Sequence, residues 1–354
     1  MGKKGYTVLL LVFLYTLSCR AEEEFLFFDA NYKGDIVSNT VGGIDRGTTY
    51  LGCATMGVGF RTDKAGWWTG GTLYLKGANT HGGEPSSSLV GDLHIVDNIE
   101  AGDHTFLQEL WVRQSFSDRF DFAVGLQDLN ADFAVSSETG HFIHSSLGIN
   151  TVMVGSVPTP VFPLMGLGLQ VGCNLSSRWR WQACVFDGEV TGFDGNPYNV
   201  EWKVNGKEGF LFCSETHYGE ADAFAYKLGG YYHSEADRYG FYLIGEHRVQ
   251  SVGLFSQVAW APKARNETYA QMDAGVNLHD LFTCGKGDVL GLAVTCNLLD
   301  NDRKHETVLE MTYRYPLWSH LWLQPDLQYV INPAGGETST DNALVAILRV
   351  ELEF

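Results

Sequence analysis

From Leu344 to the chain end, polar and apolar positions alternate. Leu344, Ala346, Leu348, Val350, Leu352 and Phe354 form one wholly apolar row, while Arg349, Glu351 and Glu353 fall in the other. A period of two is that of a β-strand, whose successive side chains point to opposite sides of a sheet. An apolar row closed by a terminal aromatic, with charges facing away from it, fits a barrel strand with lipid outside and water inside.

The same alternation, punctuated by turn residues, predicts sixteen strands. They lie near 25–38, 48–60, 70–80, 103–116, 120–129, 164–174, 179–188 and 208–217, then 223–234, 239–248, 252–262, 268–279, 288–298, 305–316, 321–332 and 342–354. Their rows are consistent: Leu309, Met311, Tyr313 and Tyr315 oppose Glu310, Thr312 and Arg314, and Leu327 and Tyr329 oppose Asp326 and Gln328. A charge placed at mid-depth on a lipid face costs about 2–4 kcal/mol, so the register is well specified. Alternate joints are tight, as at 117–119, 175–178, 249–251 and 317–320, whereas the intervening ones hold the insertions 81–102, 130–163 and 189–207. Short periplasmic turns alternating with long external loops produce this segregation. The expected fold is all-β, a sixteen-stranded antiparallel transmembrane β-barrel forming one domain over 22–354.

At the other end, Lys3 and Lys4 precede an apolar run from Val8 to Leu17, and Cys19-Arg20-Ala21 offers a small-x-small cleavage site. The run is about half the ~20 residues of a spanning helix, so residues 1–21 read as a secretory signal peptide. Acylation of Cys19 is the alternative, against which Thr16 is a poor match to the lipoprotein signal.

Charge narrows the partners. Removing the leader takes three positive charges from the formal -18, leaving -21. That excludes nucleic-acid binding by counter-ion release and fits acids on a lumen wall or on solvated loops. The mean hydropathy of -0.09 suits strands whose two faces cancel. Cys53, Cys173, Cys184, Cys213, Cys284 and Cys296 lack metal-ligand spacing and read mostly as small hydrophobes or buried thiols, with pairing left open.

Several stretches carry a family likeness: GIDRGTTYLG at 43–52, WTGGTLYL at 68–75, GDLHIVDNI at 91–99, LQELWVRQ at 107–114, VGLQDLN at 124–130, GFYLIGEHR at 240–248 and WLQPDLQYVINP at 322–333. In that order, and with the terminal Phe strand, the chain resembles the carbohydrate-selective porins of the Gram-negative outer membrane, the OprB family. The resemblance implies a sixteen-stranded pore, commonly trimeric, that passes glucose and related small neutral carbohydrates by diffusion. Members usually begin with a Trp-Gly-Gly stretch and a short helix. This chain runs almost directly from Glu22 into its first strand.

A sugar presents rim hydroxyls and apolar C–H faces, so a selective wall needs charged hydrogen-bonding groups beside an aromatic plane. Glu109, Trp111 and Arg113 alternate on one strand with Leu110 and Val112 turned away, which puts all three on the lumen side. The plainer reading of the pair is a wall salt bridge. Glu246 and Arg248 repeat the acid/base alternation, and Asp326 is a further lumen candidate. Loop 130–163 is the segment expected to fold inward. Its Glu138, His141 and His144 read as solvated loop groups rather than metal ligands. Neither a G-x-S-x-G nor a spaced catalytic carboxylate pair stands out, so no enzyme and no cofactor is expected. The rivals are a general or cation-preferring porin, a filled structural or adhesin barrel, and a secreted β-sandwich lectin.

Overall fold

The computed structural model describes residues 25–204, 206–263, 267–283, 285–300, 304–333 and 340–354. The leader read at 1–21, with Cys19, lies outside the described residues, as does Cys284. Among the described residues there are sixteen strands: β1 (Leu26–Gly43), β2 (Gly47–Arg61), β3 (Gly71–Gly82), β4 (His104–Ser115), β5 (Phe120–Gln127), β6 (Gly166–Asn174), β7 (Trp179–Asp187) and β8 (Phe210–Glu220). The others are β9 (Phe224–His233), β10 (Arg238–Val249), β11 (Val252–Trp260), β12 (Thr268–His279), β13 (Val289–Leu299), β14 (His305–Trp318), β15 (Leu321–Ile331) and β16 (Asp341–Glu353). Each pairs antiparallel with its sequence neighbours, and β1 pairs with β16, closing the sheet. Closure leaves no edge with unpaired backbone groups, the condition for a sheet in lipid.

The strands sit where the alternation predicts. The largest departure is β1, which continues five residues past its expected end at 38. Irregularities between Asn39 and Val41, and again between Val41 and Gly43, carry it on after strict alternation has lapsed. The faces also fall as expected: Leu309, Met311, Leu348 and Val350 are exposed to the outside, while Glu310, Gln328 and Arg349 are buried inward.

The interior is not an open tube. The connections 83–103 and 128–165 turn into the barrel and pack on its inner wall. Val90, Val96, Ile99 and Ile143 meet Val37, Leu51, Val330 and Val345. Leu129, Phe133, Met153 and Val157 meet Cys184, Phe186, Leu211 and Cys213. Phe142 and Leu147 meet Phe255 and Ala293. These contacts bury apolar surface at about 25 cal/mol per Å², enough to hold a long connection that would otherwise sample solution. Cys184 and Cys213 are direct cross-strand partners, and both are buried free thiols.

Candidate functional site

Lumen-facing side chains hold the inward loop through its backbone. Glu215 accepts from the N–H of Ala134 at 3.0 Å, Glu246 from that of Ser137 at 3.0 Å, and Glu310 from that of Ile143 at 2.6 Å. Gln271 accepts from Thr151 N–H at 2.9 Å, and Glu306 fixes the shorter inward segment by accepting from Leu93 N–H at 2.8 Å. A loop laid inside a barrel must find partners for its backbone groups away from bulk water, and these side chains supply them. Rows of acids expected to line open water are therefore partly committed to the loop.

Among the described residues, two cavities adjoin loop 128–165 and the wall. One, of about 570 Å³, lies between the loop and β1–β4 with β16, and is lined among others by Asp29, Asn31, Lys33, Lys76, Asn130 and Glu351. The other, of about 880 Å³, lies against the turns of β5–β10 and is lined among others by Arg180, His217, Lys227, Glu246 and Arg248.

Three of the sequence candidates come together on β4, beside Lys76, which lines the smaller cavity. Trp111 Nε1 donates to Glu109 Oε2 at 2.8 Å, and the Arg113 guanidinium lies 5.5 Å from the Trp111 ring centre. Glu109 also pairs with Lys76 at 3.6 Å, and Arg113 with Asp132 of the loop at 2.6 Å. Sequence reasoning missed their neighbours on β1 and β3. Tyr74 packs 5.1 Å from Trp111, lies 6.2 Å from Phe27 in a near-parallel stack, and donates to Asp29 at 2.8 Å. Arg61 caps the row 4.7 Å from Phe27. The alternation of Thr72, Tyr74 and Lys76 against Leu73 and Leu75 was a signal that could have found the β3 pair.

Between β1 and β3, strand β2 turns Gly57 and Gly59 to the lumen. A Cβ on Gly59 would stand 1.9 Å from Phe27 Cζ, and one on Gly57 would stand 2.3 Å from both Tyr74 Oη and Asp29 Oδ2. The bare backbone of β2 is the floor on which Phe27 and Tyr74 lie flat. The result is an aromatic strip flanked by both charge signs.

The other three candidates lie elsewhere. Glu246, on β10, is six strands around the barrel from β4 and accepts from both the backbone and the hydroxyl of Ser137. Arg248, two residues on, faces the larger cavity. Asp326 is buried, accepts from Gln328 at 3.1 Å and sits beside Glu310. The expectation of solvated loop groups is corrected: Glu138 and His144 are buried and His141 is half-buried, because the loop carrying them is packed inside the barrel. Burial pulls His144 down to about 3 and pushes Asp128, at the start of the loop, up to about 7.

A closed barrel of sixteen antiparallel strands with a long connection folded inward has the architecture of a porin. Residues 45–242 and 233–354 match the profile of the carbohydrate-selective porin, OprB family. The chain belongs to that family, whose members are passive, sugar-selective channels of the outer membrane. Its fold is shared with Pseudomonas putida OprB in a high-pH structure, with a TM-score of 0.80, 19% identity, and coverage of 93% of this chain and 94% of that one. A low-pH structure of the same Pseudomonas putida protein gives a TM-score of 0.62 at 17% identity, over 99% and 98% of the two chains. A Rhodopseudomonas blastica porin variant gives 0.61 at 10% identity, over 93% and 100%. No curated protein matches the sequence.

Proposed function

We propose that small neutral sugars of glucose size cross beside β4, touching Glu109, Trp111 and Arg113, and that no bond of the sugar is made or broken on the way. The convergence of those three with Tyr74, Lys76 and Asp29 next to the smaller cavity carries this reading. Charged groups of both signs replace the hydration of sugar hydroxyls without a large net field, and the Tyr74–Trp111 strip matches the C–H face. Glu246 and Asp326 act in this reading as supports of the inward loop, whereas Arg248 contacts solutes only in the larger cavity.

The test is proteoliposome swelling with glucose, a neutral non-sugar solute and an amino acid of similar size. Faster glucose entry that Glu109→Ala or Arg113→Ala removes supports the assignment. Equal entry of all three solutes defeats it in favour of an unselective or cation-preferring pore.

Two further elements belong to the proposal. Residues 1–21 direct export and are removed after Ala21. The barrel, set in outer-membrane lipid, assembles as a homotrimer through the outer face of β1–β4. On that face Tyr32, Tyr50, Asn79, His81 and Thr105 stand together, with Asn79 donating to Thr105 at 2.7 Å. Polar groups facing lipid are costly, and a neighbouring subunit relieves that cost. Chemical cross-linking of the membrane-embedded protein should yield a trimer band that Asn79→Leu with His81→Leu weakens.

A further inference from the structure

Inside the barrel, Glu138 and His141 of the inward loop meet His279 at the end of β12. One ligand atom from each lies within 4.8 Å of those of the other two. Glu138 and His279 are 5% and 6% exposed, so both are removed from bulk water. Glu138 and His141 are three residues apart at a tight helical turn over Thr139–His141, a spacing that puts two side chains on one face. His279 Nε2 stands 3.2 Å from Glu138 Oε2. A tetrahedral zinc ion at 2.0–2.1 Å from its donors holds them about 3.3 Å apart, so this pair is already at the required separation. Only the His141 ring has to close. It lies 5.4 Å from the His279 ring centre, and among the described residues its nitrogens have no hydrogen-bond partner.

The surroundings are those of a ligand set. Asn277 donates its Nδ2 to Glu138 Oε2 at 2.8 Å and to the Glu138 backbone oxygen at 2.7 Å, orienting the carboxylate as an outer-shell partner does. Gln324 donates to the His141 backbone oxygen at 2.8 Å and holds the turn on the wall. Glu138 also lines the larger cavity, which opens a route for an ion. A hydrogen-bonded Glu138–His279 pair alone would give the second imidazole no task. We propose that Glu138, His141 and His279 bind one zinc ion, with water as the fourth ligand, and that the ion pins the inward loop to β12.

The experiment uses the full barrel, refolded or extracted without a polyhistidine tag, stripped with chelator and titrated with zinc against a chromophoric competitor. One equivalent should bind, and His141→Gln and His279→Gln should each abolish that equivalent. Asn277→Ala should weaken it about tenfold. Heat-modifiable gel mobility confirms that each variant is a folded barrel. Hydrogen exchange of the amides at 136–144 should slow on zinc addition in the wild type and not in His279→Gln. Zinc uptake by the wild type no tighter than by the folded His141→Gln/His279→Gln double variant overturns the site, as does tight uptake that leaves the exchange of 136–144 unchanged.

Discussion

Arg349 on β16 grips Asp35 on β1 across the seam where the barrel closes, with Nη2 2.6 Å from Oδ2 and Nε 2.9 Å from the same oxygen. The two are direct register partners, and the same guanidinium reaches Asp97 of the inward segment at 3.0 Å. One cation thus joins the first strand, the last strand and the loop that fills the space beside them. A planar fork with several donors suits this task, which a lysine point charge could not perform.

Arg349→Met should be among the most damaging single changes in the barrel. It leaves Asp35 and Asp97 buried without their cation, a situation that costs about 3–5 kcal/mol. Urea unfolding of the barrel in lipid, followed by tryptophan fluorescence, should show the loss. Adding Asp35→Asn to Arg349→Met should restore part of it, since one stranded charge is then gone. No recovery in the double variant would count against this account of the seam.

Glu246→Ala and Glu310→Gln should each widen the passage. The first removes both contacts to Ser137, and the second leaves one good acceptor where a carboxylate receives two loop N–H groups, from Ile143 and His144. A less firmly held loop should raise single-channel conductance in planar bilayers and weaken discrimination between glucose and a non-sugar solute. Unchanged conductance in both variants would show that the apolar contacts of the loop suffice.

The shorter inward segment carries its own pH dependence. Burial, with Asp92 alongside, pushes the Glu100 carboxyl up to about 7, while it accepts from Ser86 N–H at 3.2 Å. An acid whose value is raised in the docked state binds protons there that the released state does not. Its contribution to docking is therefore fully present below about pH 4.3, the ordinary glutamate value, and is lost as pH rises through 7. Asp92, pushed by burial up to about 6, acts in the same sense. His94, which burial pulls down to about 3, acts in the opposite one: its contribution is present above about pH 6.5 and lost on acidification. Glu100→Gln isolates the first effect. Amide exchange over 86–100, corrected for intrinsic rates, should become more protected in the variant relative to the wild type as pH goes from 4.5 to 7.5. A ratio that stays flat would sink the assignment.

Much of the fold is legible because lipid and water impose opposite demands on alternate residues. Leu348 and Val350 had to face out, and Arg349 in, in any closed sheet. Glu109, Trp111 and Arg113 were legible for the same reason, sharing one strand and one face. What escaped was non-local. Nothing near Glu246 or Glu310 announces that each will accept from a backbone N–H more than one hundred residues away in sequence. Loop histidines read as solvated because hydropathy gives no sign that a polar loop will be enclosed by its own barrel. The role of Gly57 and Gly59 depends on side chains from both neighbouring strands, which no local pattern displays.

Those glycines permit a sharp separation of structure from selectivity. Gly59 faces Phe27 so closely that any Cβ displaces the ring, and Phe27 in turn supports Tyr74. Gly59→Val should therefore break the aromatic strip from the end nearest the β2–β3 connection, although valine is itself a good strand residue and the backbone ladder of β2 is untouched. The barrel should remain heat-modifiable and conducting. Glucose entry in liposome swelling should fall toward that of a non-sugar solute, while ion conductance changes little. The same replacement residue at Met56, which faces outward three residues away on β2, serves as the control: Met56→Val should leave both readouts alone. If Gly59→Val keeps the full preference for glucose, the strip is wall packing and the charged groups of β4 act without it.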